Sequence, residues 1–144
     1  VAGPSHRDSN GLEVLDREDC LRLLATRSLG RIGLTSSALP TILPVNYWFD
    51  GQRILVRTSP GTKLHAAAAG AVVAFEVDEV DAVYHAGWSV VVTGPAAEIT
   101  DPDELDEIRH LPLPHWSAAD GHVIAIDPAI VSGRRLEPGH GDER

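Results

Sequence analysis

The sequence predicts a mainly β protein, a closed antiparallel barrel carrying short helices. Three observations point there. Short stretches rich in Val, Ile, Thr and aromatic residues are separated by Gly, Pro and Asp punctuation, the pattern of paired strands. Only three segments carry helical signatures and all are short, so the chain lacks the strand–helix alternation of a parallel α/β sheet. Finally, 144 residues with 43% hydrophobic and 23% charged side chains make one domain, able to bury about two-thirds of its unfolded surface without a disulfide or metal staple. Hairpins with helices inserted between them close most simply into a barrel.

The elements follow in order. Residues 1–11 are polar and expected to be loose; with no Met in the chain, Val1 is not read as an initiator. Asp16 caps a helix with Glu18 and Asp19 in its first turn and Leu15 as a staple. Leu21, Leu24 and Ala25 form its buried stripe, and it ends over residues 26–28, before Gly30. Cys20, on this helix, reads as a packed small apolar residue rather than a nucleophile. Residues 31–35 form a short strand. Residues 41–49 alternate, with Leu43, Val45, Tyr47 and Phe49 on one face and Ile42, Pro44, Asn46 and Trp48 on the other. Asp50-Gly51 predicts a two-residue hairpin turn, and residues 53–58 return. Ser59-Pro60-Gly61 breaks that strand. Thr62 caps a helix over 62–69, which Gly70 ends.

Residues 72–77 form the next strand. Residues 88–99 form a long one, with a bulge or bend at Gly94-Pro95. Asp101 caps a helix over 102–110 with Pro102, Asp103 and Glu104 in its first turn, and Pro112 and Pro114 stop it. Strands over 122–126 and 129–136 flank Asp127-Pro128. The domain spans 12–137, and 138–144 reads as a tail.

A net charge of −9 argues against a nucleic-acid partner, which favours a basic face. The apolar runs are far shorter than the roughly 18–20 residues of a membrane span, so no membrane partner is expected. The lone cysteine fits a reducing, cytoplasmic compartment. Most catalytic constellations fail. No histidine pair has zinc spacing on one helix face and no cysteine joins one, so no metal site is expected. Gly87-Trp88-Ser89 lacks the glycine and the helix of a nucleophile elbow. Gly61-Thr62-Lys63 lacks most of a P-loop, and no G-x-G-x-x-G occurs. A lone His65 or His122 reads as a structural residue.

Charge singles out one region. Residues 52–74 carry Arg53, Arg57 and Lys63 (the chain's single lysine) and no acid; between Lys63 and Arg109 lie ten acids and no base. The positive charge gathers where a strand ends, turns through Gly61 and starts a helix. Arg57, Lys63 and the hydroxyls of Thr58, Ser59 and Thr62, at free helix N–H groups, describe a pocket for one phosphate. An ordinary hairpin end with solvated bases is the competing reading.

The run Thr41-Ile-Leu-Pro-Val-Asn-Tyr47, Asp50-Gly51, Arg57-Thr-Ser-Pro-Gly-Thr-Lys-Leu64, Ala74-Phe-Glu-Val-Asp-Glu79 and Gly87-Trp-Ser-Val-Val-Val-Thr-Gly94 resembles the pyridoxamine 5′-phosphate oxidase-like family, specifically its small bacterial flavin-binding branch. The resemblance runs over about residues 13–136. It implies a split β-barrel of the flavin-reductase and pyridoxine-oxidase kind, a homodimer with two FMN sites at its interface, and an FMN-dependent oxidoreductase acting on a small-molecule substrate. Pro44, Val45 and Asn46 would then line the isoalloxazine ring. Arg57, Thr58, Thr62 and Lys63 would hold the ribityl phosphate, and Trp88 and Ser89 would reach the flavin from the partner subunit. Trp88 also reads as a core or interface aromatic. Glu76 and Asp78 face solvent or cap the dimer.

The chain departs from a true vitamin oxidase at its C-terminus. Val131-Ser-Gly-Arg-Arg-Leu136 lacks a histidine after the arginine pair, and His115-Trp116 lacks the surrounding pattern. Arg134 and Arg135 either form a second anion site or flank an edge strand. Two alternatives stand beside FMN. A deazaflavin coenzyme has a poly-acidic tail that would want extra bases near the site, and this chain offers few beyond Arg53, Arg134 and Arg135. A non-catalytic flavin or haem module would, for haem, use His65 or His85 as axial ligand.

Overall fold

A computed structural model describes residues 6–113 and 122–137. Residues 1–5, Pro114, His115, Trp116 and the 138–144 tail lie outside the described residues. Among the described residues there are ten strands and three helices: β1 (His6–Arg7), β2 (Glu13–Leu15), α1 (Arg17–Leu24), β3 (Leu29–Ser36), β4 (Leu39–Asn46), β5 (Trp48–Phe49), β6 (Ile54–Thr58), α2 (Lys63–Ala68), β7 (Val72–Asp81), β8 (Ala86–Glu98), α3 (Pro102–Arg109), β9 (His122–Ile126) and β10 (Ile130–Leu136). The described strand pairs are all antiparallel. The expected mainly β fold with short helices is what the chain adopts, as a split barrel.

Two ladders share one strand. The first runs β1-β2-β10-β8-β7-β3-β4; the second joins β5, β6 and β9 to the end of β8. Val72 to Asp81 pair with β8 residues 86–95, whereas Ala96, Ala97 and Glu98 pair with β9. The bend expected at Gly94-Pro95 is where this exchange occurs. A side chain at Gly94 would overlap the Asp127 carbonyl oxygen, and Asp127 N–H donates to Pro95 O at 3.0 Å. On the other side the chain passes from β4 to β5 through Tyr47. Its ring is buried edge-on against Phe75, with centroids 4.8 Å apart, and its hydroxyl donates to Leu24 O at 2.6 Å.

The main core lies between the ladders and includes Leu24, Ile32, Tyr47, Val56, Phe75, Val90, Val92 and Ile124. A second cluster, Leu55, Ile99, Ile108, Val123 and Ala125, packs under α3 on the outer face of β6–β9. Strand β6 is therefore buried on both faces, which explains its three consecutive buried apolar residues.

The helix caps are as predicted: Asp16 accepts from Asp19 N–H, Thr62 from His65 N–H and Asp101 from Asp103 N–H. Cys20 is fully buried. Pro40 and Pro44 are tolerated because β4 lies at a ladder edge and can spare those donors.

Three expectations are corrected. His6 and Arg7 pair with Val14 and Glu13, so the segment expected to be loose through residue 11 already carries a strand. The hairpin turn falls one residue later than Asp50-Gly51, with Gly51 and Gln52 at its tip: Asp50 N–H donates to Arg53 O at 3.1 Å, and Asp50 Oδ1 accepts from Gln52 and Arg53 N–H at 2.8 and 2.6 Å. Strand β10 is no edge, since it pairs with both β2 and β8.

On the outer sheet face, Arg31 reaches Glu76 at 3.2 Å and Asp78 at 3.6 Å. Burial and the adjacent Asp78 carboxylate push the Glu76 carboxyl up to about 7, against the pull of Arg31. A folded-state carboxyl raised above its ordinary 4.5 binds a proton that the unfolded chain has released. Its contribution is present at low pH and is lost as pH rises through 7. Thermal midpoints should therefore fall between pH 4.5 and 7, and Glu76→Gln should flatten that slope; parallel profiles for the two proteins would refute the assignment. Gly94→Ala should lower stability by about 3 kcal/mol, the upper end for overpacking, read from denaturant melts. A loss under about 0.5 kcal/mol, the ordinary surface value, would show that the crossing does not need glycine.

Candidate flavin site

Strand β6 enters the turn at Ser59-Pro60-Gly61, and Gly61 takes a positive φ of 79°. Thr58, the one buried polar residue among those described, places its Oγ1 3.1 Å from that of Thr62. Thr62 Oγ1 donates to Ser59 O at 2.8 Å and accepts from His65 N–H at 3.1 Å. Lys63, the first residue of α2, is exposed and has no ion pair among the described residues. Thr58, Thr62 and Lys63 thus meet at one turn, as expected.

Arg57 does not point the same way. It shares the outward face of β6 with Leu55, under α3, while Val56 and Thr58 face the barrel core. Its Nη2 donates to Ile108 O at 3.5 Å, and its Nε is buried with no hydrogen-bond partner among the described residues. Burial, then the like charge of Arg109, pulls its pKa below the ordinary arginine value. A buried guanidinium N–H without an acceptor among the described residues, beside a second arginine, is costly to leave unpaired.

The fold trims the basic segment seen in the sequence. Arg53 pairs with Glu104 at 2.6 Å and Asp50 at 3.4 Å. Glu98, from the acid-only stretch, lies against α2 and bridges two imidazoles, those of His65 (3.2 Å) and His122. Those hydrogen bonds hold its carboxyl below the usual carboxylate range. Sequence spacing missed this cluster because its members sit on α2, β8 and β9, far apart in the chain. The turn is left with Lys63, while Arg57 and the nearby Arg109 lie on the α3 side of β6.

The ring-lining candidates occupy the sheet. Val45 faces the core, whereas Pro44 is exposed and Asn46 half-buried. Pro44 lines a cavity of about 300 Å³ with Arg27, Gly30, Arg31 and Asp78. Trp88 and Ser89 line a separate, mainly apolar cavity of about 370 Å³ with Val80, Leu136, His85 and Arg134. Asp78 borders both. Trp88 also packs on the edge of the core, in line with its reading as a core aromatic, and the Arg27 guanidinium sits 5.8 Å from its ring centroid. Within one chain, Trp88 and Ser89 do not meet the phosphate turn. They lie about ten residues from Glu98 along β8, roughly 30 Å of extended chain. Arg134 and Arg135 are turned to Asp8 (2.9 Å) and Glu13 (4.0 Å).

The family model described as pyridoxamine 5′-phosphate oxidase matches residues 16–135. The uncharacterized protein Rv0080 of Mycobacterium tuberculosis is 42% identical over 127 residues, covering 85% of this chain and 84% of that protein. Among solved structures, the FAD binding protein from Mycobacterium smegmatis is 34% identical with a TM-score of 0.74, covering 86% of this chain and 97% of its own. A conserved protein of unknown function from Corynebacterium diphtheriae is 31% identical with a TM-score of 0.74, covering 88% and 98%. The protein belongs to the pyridoxamine 5′-phosphate oxidase family of split β-barrels.

Proposed function

We propose that the protein is a flavin-dependent oxidoreductase that binds FMN as a homodimer. The observation that carries this reading is the β6–α2 turn, where two hydroxyls lie 3.1 Å apart next to a lysine with no ion pair among the described residues. Thr58, Thr62 and Lys63 hold the phosphate, and Arg57 supplies positive potential from the other face of β6. Pro44, Val45 and Asn46 border the ring. When bound, the flavin supplies the electron chemistry, and the chain binds it, orients it and shields it from water.

The dimer is supported by the distance between the two halves of the site, since Trp88 and Ser89 complete it only from a second copy. A band across the outer sheet face offers the surface. Ile42, Gly33, Ala74, Thr93 and Ile130 stand in register across five strands, with the small residues at the centre and the two isoleucines exposed at the ends. Such a face is buried by an isologous contact.

A deazaflavin coenzyme is less well supported, because Arg53, Arg134 and Arg135, the bases its acidic tail would need, already face carboxylates. Haem fares no better at His65, which is engaged with Glu98; His85, on the Trp88 cavity, is the remaining ligand for it. FAD is a second reading, favoured by what the Mycobacterium smegmatis relative binds.

Mass spectrometry of the co-purified cofactor separates FMN from FAD and deazaflavin, and a Soret band would shift the assignment to haem. Lys63→Ala should weaken FMN binding by about 1.5–3 kcal/mol, the worth of a charged hydrogen bond, read by flavin fluorescence quenching. No quenching with the parent protein would overturn the flavin reading, and unchanged affinity in the variant would overturn the phosphate assignment. Lys63→Ala and Trp88→Ala chains, each weak alone, should regain tight binding at about a quarter of the sites when mixed and reassociated, as a symmetric shared site requires. No recovery in verified mixed dimers would place both residues in one chain's site.

A further inference from the structure

The cluster of His65, Glu98 and His122 is unused by the proposed function. Three elements build it. Thr62 caps α2 and so sets its first turn, where His65 sits with its N–H bonded to Thr62 Oγ1. Glu98 ends β8, and its register partner on β9 is Ile124. His122, two residues from Ile124 along β9, therefore falls on the same sheet face as Glu98, at a diagonal neighbour position. A further bond, Ile99 N–H to Val123 O at 2.9 Å, locks the two strands there.

The three donor groups converge. His65 Nε2 is 3.2 Å from Glu98 Oε2, His122 Nδ1 contacts Glu98 Oε1, and the ligating atoms of all three residues lie within 4.8 Å of one another. Two ligands at tetrahedral positions around an ion with bonds of about 2.0–2.1 Å stand about 3.3 Å apart. The imidazoles meet edge to face with centroids 5.3 Å apart, so their nitrogens approach the carboxylate from different directions. The side chains are 24%, 26% and 36% exposed, which leaves a path for an ion and an open coordination position.

We propose that His65, Glu98 and His122 form a binding site for one divalent first-row transition-metal ion, beside the β6–α2 turn. The donor chemistry selects the ion. Calcium and magnesium take oxygen shells, and copper(I) favours thiolates and thioethers. Two imidazoles and one carboxylate suit zinc, cobalt(II) or iron(II) with a position left for water or an anion oxygen.

The test titrates the full chain, stripped with chelator, with Co²⁺ alone, so its outcome does not depend on flavin binding. Visible d–d absorption should saturate at one ion per chain, and Zn²⁺ should displace it. His65→Ala, Glu98→Gln and His122→Ala should each weaken binding by about 100-fold or more, the scale at which even supporting groups act, while metal-free circular dichroism checks that each variant is folded. His122→Cys keeps a ligand and should retain Co²⁺ while gaining a near-ultraviolet thiolate charge-transfer band absent from the parent. No saturable Co²⁺ uptake by the parent overturns the proposal. So does uptake that the folded variants leave unchanged.

Discussion

The close approach of the Gly94 backbone to the Asp127 carbonyl lets β8 leave one ladder and enter the other. A Cβ at that point would hold the strands apart, and the single strand that serves both sheets would have to end. Because β8 continues, its two ends do different things. The end at Trp88 and Ser89 opens on an apolar cavity. The end at Glu98 reaches α2 and β9. A shared strand of this length closes the barrel and also separates these two surfaces by most of the molecule.

That separation bears on how a small barrel can hold a large planar cofactor. The interior is filled by Tyr47, Phe75, Ile32, Ile124 and their neighbours, all essentially inaccessible, so a ligand has no place inside. It must lie on the outer surface, and burying it there takes a second wall. The band across β4, β3, β7, β8 and β10, with Ile42 and Ile130 exposed at its ends, is the surface on which the proposed second copy would supply that wall. Gly33 and Ala74 lie at the middle of the band, where bulky side chains would keep two sheets from close contact.

Local chemistry was legible in the sequence wherever one short segment decides the outcome. Asp16, Thr62 and Asp101 cap the helices they were expected to cap, because a cap needs only a side-chain oxygen and an N–H two or three residues on. The alternation around Val45 and Tyr47 showed which face is buried. What stayed hidden depends on pairing between distant segments. Strand alternation turns Arg57 away from Thr58, yet the charge count alone placed them together. The His65–Glu98–His122 cluster has no spacing signature, since strand register assembles it. His6 and Arg7 looked loose because their partner, β2, is itself held by β10. Local propensity carries no trace of such an arrangement.

The electrostatics of the phosphate turn follow from the same long-range logic. Along the chain the acids appear segregated from Arg53, Arg57 and Lys63, and linear reading assigns the turn three free cations. Folding brings α3 across β6, and Glu104 removes Arg53 from that count. The same helix delivers Arg109 toward Arg57, a repulsion that the protein could have relieved with any of the acids on α3. Among the described residues none of them pairs with Arg57, whose Nη2 instead donates to the Ile108 carbonyl at 3.5 Å. In a chain with net charge −9, a half-buried arginine without a carboxylate among the described residues carries a desolvation cost that a partner must offset. That cost falls on the α3 side of β6, opposite the face that carries Thr58.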